Sequence, residues 1–187
     1  MKILIIGTLR SGTTTLMNAI GSGLNLSICN EPFLKSNTNV IYDSNQKDIV
    51  LKTMIHHQSF DEMDGLRGSF DKTILLSRKD TNAVWESVCN AIYERDVLSP
   101  NGDEFGAWSK PYTHNEDSLN PIHKIGVTHR LNLIIKYSFH SNIDIIWYED
   151  LFSSDKNIAK STFDSIGLDL SYDSIYDYMN PSKRYRR

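Results

Sequence analysis

The segment Gly-Thr-Leu-Arg-Ser-Gly-Thr-Thr, residues Gly7 to Thr14, decides the fold. It follows the apolar run Lys2 to Ile6, whose β-branched residues are typical of a strand buried on both faces. Apolar residues then recur at helical spacing from Leu16 to Ile20, and we expect Gly21 and Gly23 to end this helix. The sequence therefore predicts a strand, a glycine-bounded loop and a helix in direct succession.

The same alternation continues along the 187 residues. Because strands alternate with helices, the connections are crossovers and the sheet is mainly parallel. We predict one domain, residues 1–187, with a three-layer α/β fold and a P-loop-like first unit. Further strands are predicted at 26–29, 49–55, 73–76 and 143–147, and further helices from Asp80 or Thr81, at 127–135 and at 159–166.

One long irregular stretch interrupts this pattern at residues 99–121. It mixes Pro, Gly and Asn with Phe105, Trp108 and Tyr112. Irregular loops of this length inside small domains are usually functional or disordered. The aromatic content favours a substrate-facing loop or lid.

The bulk composition excludes several classes of protein. A net charge of −3 implies no general attraction to nucleic acid. No apolar run approaches the roughly 18 to 20 residues that span a bilayer. Two cysteines, Cys29 and Cys89, are too few for a disulfide framework and lack zinc-site spacing. We expect a cytoplasmic protein with free thiols, no membrane span and no bound metal.

Polar residues follow several of the predicted strands. The carboxyl ends of parallel strands meet at one edge of the sheet, where α/β proteins bind ligands. We therefore expect these polar residues to share one site. They are Arg10 to Thr14, Glu31, Lys52, Arg78, Lys79, and Tyr148 to Asp150.

The first loop has the glycine spacing of a phosphate-binding P-loop, GxxxxGK[ST], between a strand and a helix. Its backbone N–H groups and the helix N-terminus predict an anion site. The P-loop lysine is replaced by Thr13, and the basic residue comes earlier, at Arg10. The strand at Thr73 to Leu76 leads into Ser77 and Arg78 rather than a magnesium-binding aspartate. These departures favour an anion with less charge than a triphosphate.

Three segments resemble sulfotransferases that use 3′-phosphoadenosine-5′-phosphosulfate (PAPS). Leu9 to Leu16 resembles the 5′-phosphosulfate loop of that family. Ile74 to Asp80, with Ser87 on the next helix, is similar to its 3′-phosphate motif. Trp147 to Leu151 resembles its Tyr-Glu-Asp-Leu segment. The matches are in family order, extend to about residue 170, and look closer to carbohydrate and bacterial types than to cytosolic phenol and steroid types.

The resemblance implies roles for the loop and for the residues near it. Arg10 would stabilise the bridging oxygen electrostatically, since a guanidinium stays protonated. The family serine comes eight residues after the key arginine, and this spacing from Ser87 leads to Lys79 rather than Arg78, so the main 3′-phosphate contact stays open between the two. Tyr148 would lie on the adenine side. The residues implied to hold the 5′-phosphate are Ser11, Gly12, Thr13, Thr14 and Thr15.

The predicted general base is Glu31. Asn30-Glu31-Pro32-Phe33 is similar to the Glu-Pro-Phe of carbohydrate sulfotransferases, and a carboxylate there can accept a hydroxyl proton. Lys52-Thr53 resembles the Lys-Thr/Ser-His segment of the phenol and steroid types, with Met54 in the histidine position. Lys52 could contact the sulfuryl oxygens, and His56 and His57 are the reserve bases.

The resemblance thus implies a transferase that moves a sulfuryl group from PAPS to an acceptor hydroxyl, such as that of a sugar or glycolipid, leaving 3′,5′-adenosine bisphosphate. The basic segment 183–187 could fold back onto the 3′-phosphate. Two alternatives stay open. One is a small-molecule or nucleotide kinase with a degenerate P-loop, and the other is an inactive nucleotide-binding module.

Overall fold

The computed structural model describes residues 1–33, 42–93 and 121–179, with the side chains of 90–93 and 121–124 left aside. Strands and helices alternate through most of these ranges. The strands are β1 (Lys2–Gly7), β2 (Ser27–Asn30), β3 (Ile49–Met54), β4 (Lys72–Ser77) and β5 (Ile145–Trp147). The helices are α1 (Thr13–Leu24), α2 (Phe60–Arg67), α3 (Thr81–Tyr93), α4 (Pro121–Ser141), α5 (Tyr148–Leu151), α6 (Lys156–Ser165) and α7 (Tyr172–Met179).

The five strands form one sheet in the order β2-β3-β1-β4-β5. Every neighbouring pair is parallel. The central strand β1 pairs with β3 on one side, where Gly7 is opposite Met54, and with β4 on the other, where Gly7 is opposite Leu76. All five carboxyl ends therefore meet at one edge. The prediction of an α/β fold around a parallel sheet is confirmed.

Side chains of the central strand alternate between two cores. Ile3 and Ile5 pack with residues of α1, α6 and α7 on one face of the sheet. Leu4 and Ile6 pack with Met63 of α2 and Ile134 of α4 on the other face. A strand covered on both sides reads as a continuous apolar run, which explains the pattern at Lys2–Gly7.

The prediction that Gly21 and Gly23 end the first helix is wrong. Helix α1 continues through both to Leu24, and Asn25 caps it in the left-handed conformation. A Cβ at Gly21 would lie 2.8 Å from Ile28, and one at Gly23 would lie 2.6 Å from Leu170. The glycines therefore allow close packing of the last turn rather than a chain reversal.

The sequence analysis did not predict helices α2, α5 and α7, because each is too short to show a clear helical pattern. Helix α2 begins with a capping box. The Ser59 hydroxyl accepts a hydrogen bond from the Glu62 N–H, and the Glu62 carboxylate accepts one from the Ser59 N–H. Helices α5 and α7 have four and eight residues. The N-cap predicted at Asp80 or Thr81 is found at Asp80, whose carboxylate accepts from Ala83 N–H at 2.9 Å.

Other predictions fall partly on residues that the structure does not describe. The predicted lid lies outside the described residues apart from Pro121, which begins α4, and the basic segment 183–187 lies outside them too. Cys29 and Cys89 are free and buried. In the ranges covered by the structure, the helices are too short or too polar to cross a membrane.

Candidate functional site

The first loop occupies the middle of the carboxyl edge. A Cβ on Gly7 would lie 2.1 Å from Cγ2 of Thr13, so the strand end and the helix start are too close for any side chain. Gly12 has φ of 79°, and a Cβ there would lie 2.6 Å from the Phe152 ring and 2.8 Å from the Tyr148 ring. Both positions therefore require glycine, and the loop packs directly against two aromatic rings.

The loop presents its main chain rather than its serine hydroxyl. Ser11 Oγ donates to the carbonyl of Thr8 at 2.7 Å, and Ser11 is fully buried. Gly12, the N-cap of α1, provides no side-chain cap for the N–H groups of the first turn. Uncapped N–H groups and the helix dipole attract anions. The role predicted for Ser11 is thus limited to its backbone.

A buried lysine reaches the start of α1 from the neighbouring strand. Lys52 of β3 is 3% exposed, and its Nζ donates to Thr14 Oγ1 at 2.9 Å. The same ammonium forms an ion pair with the Glu31 carboxylate. The positive charge that is missing at Thr13 is therefore present beside the loop, although it comes from β3 rather than from α1.

Two residues of the edge have left-handed backbone conformations. Among described residues other than glycine, positive φ occurs at Arg10 (59°), Asn25 (53°), Glu31 (51°) and Asn142 (52°). Asparagine tolerates this region, but arginine and glutamate adopt it at a conformational cost. Such costs concentrate at functional sites, and here both fall on residues that the sequence predicted to be catalytic.

Arg78 lies next to the first loop. Its guanidinium is 4.1 Å from the centroid of the Tyr148 ring, and Nη1 donates to the Arg10 carbonyl at 3.4 Å. Nε lies 3.6 Å from the Glu149 carboxylate. The Arg10 side chain turns toward α3, where Nε donates to Ser87 Oγ at 2.6 Å. The structure thus brings Arg10, Arg78, Ser87 and Tyr148 together on the β4 side of the loop.

Lys79 occupies a different environment. Its side chain is half exposed, and Nζ pairs with Asp150 at 2.7 Å. Its backbone N–H donates to Glu149 at 2.9 Å. Lys79 is therefore engaged with α5, whereas Arg78 contacts the loop itself.

His56 and His57 lie in the turn that follows β3. Their ring centroids are 4.6 Å apart, and the His57 N–H donates to the Met54 carbonyl at 3.0 Å. Burial, with the charge of Arg130 and the neighbouring imidazole, lowers the pKa of His56 to about 4. Burial also lowers the pKa of His57. Both imidazoles are therefore largely neutral at neutral pH.

Arg130 is a site residue that sequence reasoning missed. It is half-buried on α4, three residues after Val127 and four before Ile134, both of which are buried. It therefore lies on the inward stripe of the helix. A charged residue on a buried stripe is the signal that could have identified it.

The carboxyl edge has two sides, divided by the first loop. The β4 side holds Arg10, Arg78, Ser87 and Tyr148, and the β3 side holds Glu31, Lys52, His56 and His57. Within the described residues, no group of three or more His, Cys, Asp or Glu is placed to hold a metal ion. No protein-family model, curated protein or solved structure matches the chain.

Proposed function

We propose that the chain is a PAPS-dependent sulfotransferase that transfers a sulfuryl group to an acceptor hydroxyl. The observation that carries the proposal is the placement of Lys52 and Glu31 beside the first turn of α1, with Lys52 bonded to Thr14. An anion bound to the loop would have the Lys52 ammonium and the Glu31 carboxylate at one of its ends. These are the two charges that sulfuryl transfer to a hydroxyl requires.

The donor would extend across the loop from the β3 side to the β4 side. Backbone N–H groups from Gly12 to Thr15 would hold the 5′-phosphate, because they combine free donors with the helix dipole. Arg78, packed on Tyr148, supports a 3′-phosphate site on the β4 side. Arg10 and Ser87, already hydrogen-bonded to each other, would complete that site.

The reaction would be an in-line displacement at sulfur. The acceptor oxygen forms a bond to sulfur while the bond from sulfur to the 5′-phosphate oxygen breaks, and the electron pair of that bond stays on the phosphate. Glu31 takes the proton of the acceptor hydroxyl. Lys52 stabilises charge on the sulfuryl and bridging oxygens, in a site where fixed charges act strongly. With Arg10 bonded to Ser87, Lys52 is the better placed of the two cations for this task.

Calorimetric titration tests the proposal at the level of binding. We expect 3′,5′-adenosine bisphosphate to bind at micromolar concentration in the presence of EDTA, and PAPS to lose sulfate when a mixture of hydroxyl compounds is added. Magnesium-dependent binding of ATP, with no binding of the bisphosphate, would favour a kinase instead. Bisphosphate binding without sulfate transfer or PAPS hydrolysis would favour an inactive binding module.

A further inference from the structure

Buried polar atoms without partners concentrate at the end of β3. In the ranges that the structure describes, the atoms Thr53 Oγ1, His56 Nδ1, His57 Nδ1 and Gln58 Oε1 are buried and have no hydrogen-bond partner. Most buried polar atoms in folded proteins have a partner, and leaving one unpaired costs about 1–3 kcal/mol. Because residues 56–58 are only half-buried, these four atoms mark a polar surface whose hydrogen bonds the described residues leave unmade.

Arg130 extends this surface from α4. Ile134, one turn along the helix, shares a core cluster with Ile55, which directly precedes His56. Arg130 is close enough to both imidazoles for its charge to oppose their protonation. Within the described residues, its guanidinium has no hydrogen bond and no acidic partner. A half-buried guanidinium of this kind favours binding of an anion.

The cluster adjoins the proposed base. The charges of Glu31 and Lys52 both act on His57. His57 is therefore near both the Glu31–Lys52 pair and Arg130. A molecule whose hydroxyl met Glu31 would place its neighbouring atoms near His57.

We propose that His56, His57 and Arg130 form an acid-binding subsite, and that the acceptor is a hydroxyl compound with a singly charged acid group such as a carboxylate. That the bound molecule is the sulfuryl acceptor rests on the proposed function, whereas its carboxylate is inferred from these three residues alone. The planar fork of Arg130 can hold both carboxylate oxygens, and each neutral imidazole can donate one further N–H.

The charge balance favours one negative charge over two. Arg130 contributes one positive charge, the two histidines are largely neutral, and Lys52 and Glu31 cancel each other. A carboxylate neutralises the subsite. A phosphate dianion would leave a net negative charge beside a carboxylate base.

Matched small molecules test the subsite directly. Methyl β-D-glucuronide and its uronamide have the same hydroxyls and nearly the same shape, and they differ in the charge of the acid group. We expect the uronate to bind at least about tenfold more tightly than the amide, a difference of about 1.4 kcal/mol. It should also bind more tightly than methyl glucoside 6-phosphate. Titrations followed by the side-chain NMR signals of His56 and His57, without nucleotide, measure these affinities.

Variants of α4 provide the matched comparison. Arg130→Gln should reduce the uronate-to-amide affinity ratio to about one. Arg130→Lys keeps the charge but loses the planar fork, so an intermediate ratio of about threefold is expected. Lys136→Gln removes the same charge from the exposed face of the same helix and should leave the ratio unchanged. Thermal unfolding of each variant verifies that it is folded.

The proposal is overturned if the wild-type protein binds uronate and amide equally, if the phosphate binds most tightly, or if Arg130→Gln retains the preference in a folded protein. Failure of the proposed function gives a different result. In that case 3′,5′-adenosine bisphosphate would not bind, while a uronate preference that depends on Arg130 would persist in the nucleotide-free titration.

Discussion

The middle and the C-terminal end of α4 hold similar side chains in opposite states. In the middle of the helix, the charge of Arg130 acts on His56 and His57. Toward its C-terminal end, Tyr137 and His140 face Asp64 of α2. The residues 130 and 140 are about 15 Å apart along the helix axis. Among the described residues, Arg130 has no acidic partner, whereas at the C-terminal end the Asp64 carboxylate contacts both Tyr137 and His140.

The C-terminal cluster is fully connected. Tyr137 donates to Asp64 Oδ1 at 2.8 Å, and His140 Nε2 lies 2.8 Å from the other oxygen of that carboxylate. Arg67 lies 3.8 Å from Asp64 and donates to the Ser141 carbonyl at 3.1 Å. Burial and the bond to Asp64 raise the pKa of the Tyr137 hydroxyl. This cluster therefore links α2 to α4 through hydrogen bonds and ion pairs between described residues.

The difference separates stability from function. A polar cluster whose members satisfy one another contributes to folding, whereas a cluster that the described residues leave without a counter-ion is a candidate for ligand binding. Substitutions at the carboxyl edge should therefore change ligand binding or turnover most, and substitutions around Asp64 should change stability alone.

The largest effect is expected from Glu31→Gln. The amide keeps the shape of the side chain but cannot accept the acceptor proton, so turnover should fall about 10²- to 10⁴-fold. Initial rates of sulfate transfer from PAPS measure the loss, and titration with 3′,5′-adenosine bisphosphate should show an almost unchanged affinity. Glu86→Gln, at an exposed position of α3, is the control and should retain full activity.

Gly12→Ala should damage the loop itself. The new Cβ would meet the Tyr148 and Phe152 rings and require a left-handed backbone, so we expect a loss of about 2 kcal/mol or more in stability and at least tenfold weaker nucleotide binding. Gly65→Ala on α2 is the control. Nothing lies within 4 Å of its added Cβ, so chemical unfolding should show equal or higher stability. Wild-type behaviour of the Gly12 variant would contradict the close packing described here.

Asp64→Ala should affect only the C-terminal end of α4. It leaves the fully buried Tyr137 hydroxyl without its acceptor, at a cost of about 1–3 kcal/mol. Urea unfolding measures the change, and nucleotide affinity should stay constant. Asp61→Ala, at an exposed position of the same helix, should cost less than about 1 kcal/mol. A nucleotide affinity that falls with Asp64→Ala would break the separation between the two regions.

The last two predictions concern how stability depends on pH. Burial, with the charges of Arg130 and His57, lowers the pKa of His56 from the ordinary 6.5 of the unfolded chain to about 4 in the folded chain. The charges of Glu31, Lys52 and Arg130 act on the neighbouring His57. Between these values the unfolded chain binds more protons, so stability falls as the pH drops from 6.5 to 4, by about 1–3 kcal/mol. Unfolding curves for His56→Gln should lose much of this slope, whereas the exposed His129→Gln should keep it.

Asp64 should respond at lower pH. Burial acts to raise its pKa, but hydrogen bonds from Tyr137 and His140 and the charges of Arg67 and His140 outweigh it and lower the pKa. Its contribution is thus present above its ordinary pKa of 3.8 and is lost only as the pH falls below that value. Asp64→Asn should therefore alter the pH dependence of stability only below about pH 3.8. If the variant altered it equally between pH 6.5 and 4, the lowered pKa of Asp64 would be contradicted.

The sequence was sufficient for the sheet and for the position of the loop, because both depend on local patterns. An apolar run ending at Gly7, followed by helical spacing after Gly12, has few alternatives in physical terms. The pairing of Lys52 with Glu31 and Thr14 was not readable, since it depends on which strands are neighbours. The roles of Gly21 and Gly23 were not predicted for the same reason. Each glycine makes room for a side chain outside α1, Ile28 for Gly21 and Leu170 for Gly23, and this packing depends on the folded structure. Arg130 could not be identified from the sequence, because its nearness to His56 and His57 depends on how α4 packs against the sheet.

The packing of α1 has a consequence for the order of folding. Its face is covered by α7, and Ser22 and Tyr178 hydroxyls meet at 3.1 Å across more than 150 residues of chain. Contacts of such separation form late, because a long loop must close first. During synthesis the turn from Gly7 to Thr14 would thus remain loosely held until residues up to Met179 have left the ribosome.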